Sequence, residues 1–206
     1  MFKILCVTNR ALCGGDFLEQ IGKIAQSGAG GIILREKDLS EGEYRSRAGK
    51  VMEICGQHGT PCILHSFAGA AASLGASAIH LPLPRLRELA PAQRAAFRTV
   101  GASCHSLADA EEAEKLGCAY VTLGHIFPTD CKKGLPPRGL ELLREVCAAV
   151  SVPVFAIGGI SAENIAAVKE AGAAGACFMS GFMRCADPAA YLREFRKAGD
   201  IDEIQP

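Results

Sequence analysis

Short apolar runs alternate with amphipathic stretches from one end of the chain to the other. The runs lie at 3–8, 31–34, 61–65, 78–80, 99–103, 120–123, 152–156 and 176–179, and are nearly continuous in Val, Ile, Leu, Cys and Ala. Such continuity suits strands buried on both faces, where neither side meets water. Between them, apolar positions recur at helical spacing over 16–27, 40–57, 67–74, 86–96, 107–116, 139–150, 162–171 and 188–198. Ser40 and Ser161 stand where N-caps belong, and Gly28, Gly75, Gly117 and Gly172 stand where helices should stop. Four helices end in nearly the same phrase: a Gly, a small residue, then the next strand.

The pattern counts out to eight strand-and-helix units of about 26 residues each, compact but sufficient for a barrel. The competing arrangement, a doubly wound open sheet, normally carries a glycine-rich turn after its first strand. Here that position reads Thr8-Asn9-Arg10. The expected fold is therefore α/β, a single (β/α)₈ TIM barrel occupying residues 1–206 as one domain.

Composition narrows the function classes. Lys plus Arg and Asp plus Glu both number 22, so the electrostatic footprint of a nucleic-acid binder is missing. No apolar stretch approaches the roughly 18 residues that would span a membrane. The start reads as a strand followed by polar residues rather than as a signal peptide, which makes a soluble, cytoplasmic protein the expectation. Ten cysteines include no CxxC pair, and most sit inside apolar runs such as Leu5-Cys6-Val7. They read as reduced thiols acting as small hydrophobes, not as a zinc site or a disulfide framework.

In a (β/α)₈ barrel the active site lies where strands end and βα loops begin. After the second strand comes Arg35-Glu36-Lys37-Asp38, and the sixth runs into Gly124-His125 and on through Thr129, Cys131 and Lys132. The seventh ends in Gly158-Gly159 and the eighth in Ser180-Gly181. Glycines there let backbone N–H groups approach a ligand, and together with a helix N-terminus they make a phosphate cradle. Lys37 and Lys132, in the loops after the second and sixth strands, add cations for an anionic ligand. Four of the five histidines, His65, His80, His105 and His125, fall at strand ends, while His58 lies in a helix. Their spacings match no metal-ligand motif, so an acid/base role for one of them is the stronger reading.

Ile33 to Lys37, Gly101 to His105, Gly124 to Lys132 and Ile157 to Ile160 resemble, in the correct order, the thiamine phosphate synthase superfamily. The resemblance covers about residues 3 to 198 and implies a phosphate-binding barrel of thiamine biosynthesis. This superfamily has two branches, the synthase and the TenI-like thiazole tautomerases. A synthase carries acidic residues after its third and fourth strands, which hold the magnesium ion of a pyrophosphate substrate. The matching positions here read His65-Ser66-Phe67 and His80-Leu81-Pro82-Leu83, and Gly124-His125 with Thr129 to Gly134 and Arg138-Gly139 is similar to the tautomerase branch.

The resemblance implies an isomerase that aromatises a carboxylated dihydrothiazole ethyl phosphate without metal or organic cofactor. His125 matches the family's catalytic histidine. Gly158, Gly159, Ser180 and Gly181 would hold the phosphate, with Arg35, Lys37, His105, Thr129 and Lys132 as further substrate contacts. Two other functions stay open: a synthase with relocated magnesium ligands, and a non-catalytic regulator. The expected partner is a phosphorylated thiazole, not a nucleic acid or a membrane. The oligomeric state is open, a homodimer being common for such barrels.

Overall fold

A computed structural model describes residues 1–201. Eight parallel strands close into a barrel in sequence order: β1 Lys3–Val7, β2 Ile32–Leu34, β3 Cys62–His65, β4 Ala78–Pro82, β5 Thr99–Cys104, β6 Tyr120–Gly124, β7 Val154–Ile157 and β8 Gly175–Phe178. β1 closes the ring on β8, with Lys3 opposite Gly175 and Cys6 opposite Phe178. The fold is thus the single (β/α)₈ TIM barrel that the pattern predicts.

The surrounding helices are α1 Phe17–Gln26, α2 Glu41–Gln57, α3 Ala68–Ser73, α4 Leu83–Glu88, α5 Pro91–Arg94, α6 Leu107–Lys115, α7 Gly139–Ala149, α8 Ile165–Glu170, α9 Ser180–Arg184 and α10 Pro188–Ala198. Ser40 caps α2 through a full capping box with Glu43. Gly28, Gly75, Gly117 and Gly172 all take positive φ just beyond helix ends, the left-handed stop that glycine adopts without steric cost.

Three local expectations are corrected. The single helix expected at 86–96 is two, because Pro91 lacks an N–H and starts a new helix at α5 after Leu89 turns extended. Ser161 does not cap α8. A turn intervenes, in which Ser161 O accepts from Ile165 N at 3.0 Å, and the helix begins four residues later, after Asn164. His58 stands just past the end of α2, as its C-cap, and is exposed.

Alternation along each strand divides the core in two. Leu5, Val7, Ile33, Ile63, Tyr120, Phe155 and Cys177 point into the barrel and pack together there. Ile4, Cys6, Ile32, Leu34 and their equivalents point outward under the helices. Both faces are apolar, which is why the strands read as continuous runs. Of the ten cysteines, all unpaired, five are buried and only Cys131 is exposed.

Candidate active site

At the carboxyl ends of the strands lies a cavity of about 310 Å³. All ten candidate residues from the sequence line it: Arg35, Lys37, His105, His125, Thr129, Lys132, Gly158, Gly159, Ser180 and Gly181. Among the described residues, no Asp or Glu does.

The cations come from two sides, Arg35 and Lys37 from the loop after β2 and Lys132 from the loop after β6. None of the three joins an ion pair among the described residues. The Lys37 ammonium is pushed below its ordinary pKa, chiefly by Arg35, with burial and Lys132 adding to it. Burial does the same to Arg35. Like charges facing one another across an unpaired space make a site for an anion.

His125 follows β6 directly and is buried. Two backbone hydrogen bonds hold its neighbourhood: Ile126 N donates to Ile157 O and Arg138 N donates to His125 O. The ring Nε2 lies 3.3 Å from the Leu135 carbonyl. A carbonyl only accepts, so Nε2 carries the hydrogen and the neutral ring keeps its lone pair on Nδ1. His105 is committed at the other nitrogen: its Nδ1–H donates to Gly124 O at 2.7 Å, which pins the peptide preceding His125.

The histidines of β3 and β4 are different. His80 is fully enclosed, with Tyr120 OH 3.0 Å from Nδ1, Ser103 Oγ 2.8 Å from Nε2 and Thr122 Oγ1 at 3.4 Å. Burial lowers its pKa to about 3. His65 stacks on it at 5.7 Å and bonds Ser66 Oγ through Nδ1 at 2.7 Å. Burial first, then His80, Arg35 and Lys37, bring its pKa down to about 2. Both rings are neutral polar linings of the cavity.

The glycines are required for a reason that sequence reasoning missed. A Cβ on Gly158 would meet His125 Cβ and come within 2.9 Å of its Cα; one on Gly159 would lie 2.7 Å from Phe127 Cβ; one on Gly181 would fall on the Tyr191 hydroxyl. Gly158 and Gly159 also take φ of 96° and 68°. These three positions are glycine because the loop after β6 and the Tyr191 ring pack against them. The amides of Gly159 and Ile160 make no hydrogen bond within the described residues, so they remain open donors beside the cavity. Ser103, Thr122 and Tyr191 also line it without having been singled out. Ser103 and Thr122 carried a signal, a hydroxyl near a strand end. Tyr191 carried none, since it arrives from α10.

A second, more open cavity of about 540 Å³ adjoins over the ends of β2 to β4, sharing Lys37, His65 and Pro82 with the first. Glu36, Glu41 and Glu88 line it. Glu36 is tied to Thr8 and Arg10, and Glu88 is paired with Arg85. Among the described residues no three His, Cys, Asp or Glu side chains gather so as to hold a metal ion, and no helix is long and apolar enough to cross a membrane.

A family model described as thiamine monophosphate synthase matches residues 4–182. The thiamine-phosphate synthase of Desulfitobacterium hafniense (strain Y51) is 35% identical over 196 residues, covering 92% of this chain and 93% of that one. That of Caldivirga maquilingensis is 35% identical over 178 residues, covering 83% and 85%. Among solved structures, the thiamine phosphate pyrophosphorylase of Pyrococcus furiosus superposes with a TM-score of 0.81 at 28% identity, over 97% of this chain and 96% of that chain. A 3-hexulose-6-phosphate synthase, at 20% identity and a TM-score of 0.67, shares the fold alone. The names of these relatives agree with the superfamily and with its synthase branch; none of them names a tautomerase.

Proposed function

The chain belongs to the thiamine monophosphate synthase family, and we propose that within it this protein is a cofactor-free thiazole tautomerase. One observation carries the reading: the cavity combines His125 with three unpaired cations and, among the described residues, contains no carboxylate. That lining suits an anionic substrate and a proton transfer. It does not suit a magnesium-bound pyrophosphate, since Mg²⁺ binds through oxygen ligands, usually one or two carboxylates beside the substrate's phosphates. The ends of β3 and β4, where a synthase keeps those acids, present His65, Ser66 and Pro82 instead.

The substrate is a dihydrothiazole that bears a carboxylate and an ethyl phosphate, with one double bond exocyclic to the ring. Its phosphate lies against the Gly159, Ile160, Ser180 and Gly181 side, and Arg35, Lys37 and Lys132 offset the charges of its phosphate and carboxylate together. His125 Nδ1 takes the ring proton beside the carboxylate. The electron pair moves through the ring to the exocyclic carbon, and the imidazolium returns a proton there, leaving the aromatic thiazole. The cations help by stabilising the negative charge that develops as the C–H bond breaks. The aromatic product is downhill, so what the enzyme has to supply is one acid/base group and orientation.

The relatives' names favour a second reading, condensation of a pyrimidine pyrophosphate with thiazole phosphate. One experiment separates the two. Incubation with the dihydrothiazole phosphate, followed by product absorbance with and without Mg²⁺, should give magnesium-independent turnover. The same preparation given both synthase substrates and Mg²⁺ should give no thiamine phosphate. Thiamine phosphate formation would replace the tautomerase reading with the synthase.

A further inference from the structure

The loop after β2 reads Arg35-Glu36-Lys37-Asp38, two cations interleaved with two acids, and by sequence offers no net charge to a ligand. The fold separates the signs. Arg35 and Lys37 line the 310 Å³ cavity, whereas Glu36 and Asp38 turn to Arg10, which stands in the loop after β1 and does not line the cavity. Glu36 is buried and accepts from Thr8 Oγ1 at 2.6 Å, from Arg10 N at 3.1 Å and from Arg10 Nη1 at 3.2 Å. Asp38 is exposed and takes both prongs of the same guanidinium, Nη1 at 2.6 Å and Nη2 beside it. Thr8 Oγ1 in turn accepts from Arg35 N at 2.9 Å, so one network holds the acids and fixes the backbone of a cavity cation.

We propose that Arg10 is a positioning residue that sorts the charges of this loop: by holding both acids it leaves Arg35 and Lys37 free for an anionic ligand that it never touches. The inference rests on reading the cavity as an anion site. Its physical basis is competition. Asp38 is adjacent to Lys37, so an acid released from Arg10 is within reach of the cavity cations and would quench them as a ligand's rival. A guanidinium suits the task because its planar fork takes a carboxylate bidentately and has a donor left over for Glu36. The depressed pKa of Lys37, whose largest cause is Arg35, fits cations that face each other with no acid between them.

Calorimetric titration with inorganic phosphate at low ionic strength tests the idea. Arg10→Met should weaken phosphate binding about tenfold, a charge-level effect. Adding Asp38→Asn to that variant should recover most of the loss, because it removes the released acid; a merely structural role for Arg10 predicts no such rescue. Should Arg10→Met fail to fold, with Glu36 then buried beside no cation, Arg10→Gln combined with Glu36→Gln removes both charges. It should show the same loss and the same recovery by Asp38→Asn. Unchanged phosphate affinity on losing Arg10, or no recovery on adding Asp38→Asn, would overturn the sorting alone. No phosphate binding by the unaltered chain would overturn the anion-site reading and the sorting with it.

Discussion

The rims of β3–β4 and β5–β6 each place two histidines in or just beyond their strands, and they put them to opposite uses. His65 and His80 are enclosed, stacked on each other and hydrogen-bonded to hydroxyl groups, and their burial holds the rings neutral far below their ordinary titration range. His105 and His125 instead meet backbone carbonyls, at Gly124 and Leu135, each of which occupies one nitrogen as a donor and leaves the other with its lone pair. The residue type is the same on both rims, but His65 and His80 lie within β3 and β4, whereas His105 and His125 follow β5 and β6. The partner decides: a hydroxyl can satisfy either ring nitrogen and so builds a closed polar lining, whereas a carbonyl orients the ring and leaves a base available.

The hardest test of that contrast is His125→Asn. Loss of a general acid/base typically costs 10²–10⁴-fold, so kcat for the dihydrothiazole phosphate should fall by about that range with KM little changed. Near-normal turnover would move the proton transfer to another group. On the opposite rim, His80→Phe should leave the Tyr120 and Ser103 hydroxyls without a partner and lower stability by about 1–3 kcal/mol in urea unfolding. A change in kcat with stability intact would mean that His80 is not merely lining.

The same two rings set a pH dependence. Their folded pKa values of about 2 and 3 lie below the ordinary 6.5, so the unfolded chain binds protons more readily in that window. Stability should be full above pH 6.5 and fall as the pH is lowered from there toward 3. The slope is at most about 1.4 kcal/mol per pH unit for each ring. Unfolding curves at pH 7 and 5 check this, and His80→Phe should flatten the slope by roughly half; an unaltered slope assigns it to other groups.

Gly181→Ala places a methyl on the Tyr191 hydroxyl and should raise KM for phosphorylated substrate several-fold through displacement of α9. The smallest effect expected is that of His105→Asn. It keeps a side-chain amide for the Gly124 carbonyl and should cost less than about tenfold in kcat, since it supports His125 without transferring a proton. A loss as large as that of His125→Asn would make His105 the proton carrier.

Much of this was legible in the chain. Continuous apolar runs separated by helical spacing specify a barrel because strands sealed by helices outside and side chains inside can tolerate no polar face. The site could be located for the same reason: barrel topology sends every strand-end residue to one rim, so Arg35, His125, Lys132 and Ser180 could be grouped from their positions along the chain. What the sequence could not supply is what a side chain meets across that rim. Arg35-Glu36-Lys37-Asp38 reads as four equivalent charges until Arg10 divides them, and Gly158, Gly159 and Gly181 read as open backbone until His125, Phe127 and Tyr191 prove to fill the space beside them. His80 and His125 are indistinguishable as letters. Spacing along the chain fixes which residues share a rim, because strand and helix geometry is local and repeating; charge state, hydrogen-bond direction and steric room depend on neighbours tens of residues away, and those are set only when the barrel closes.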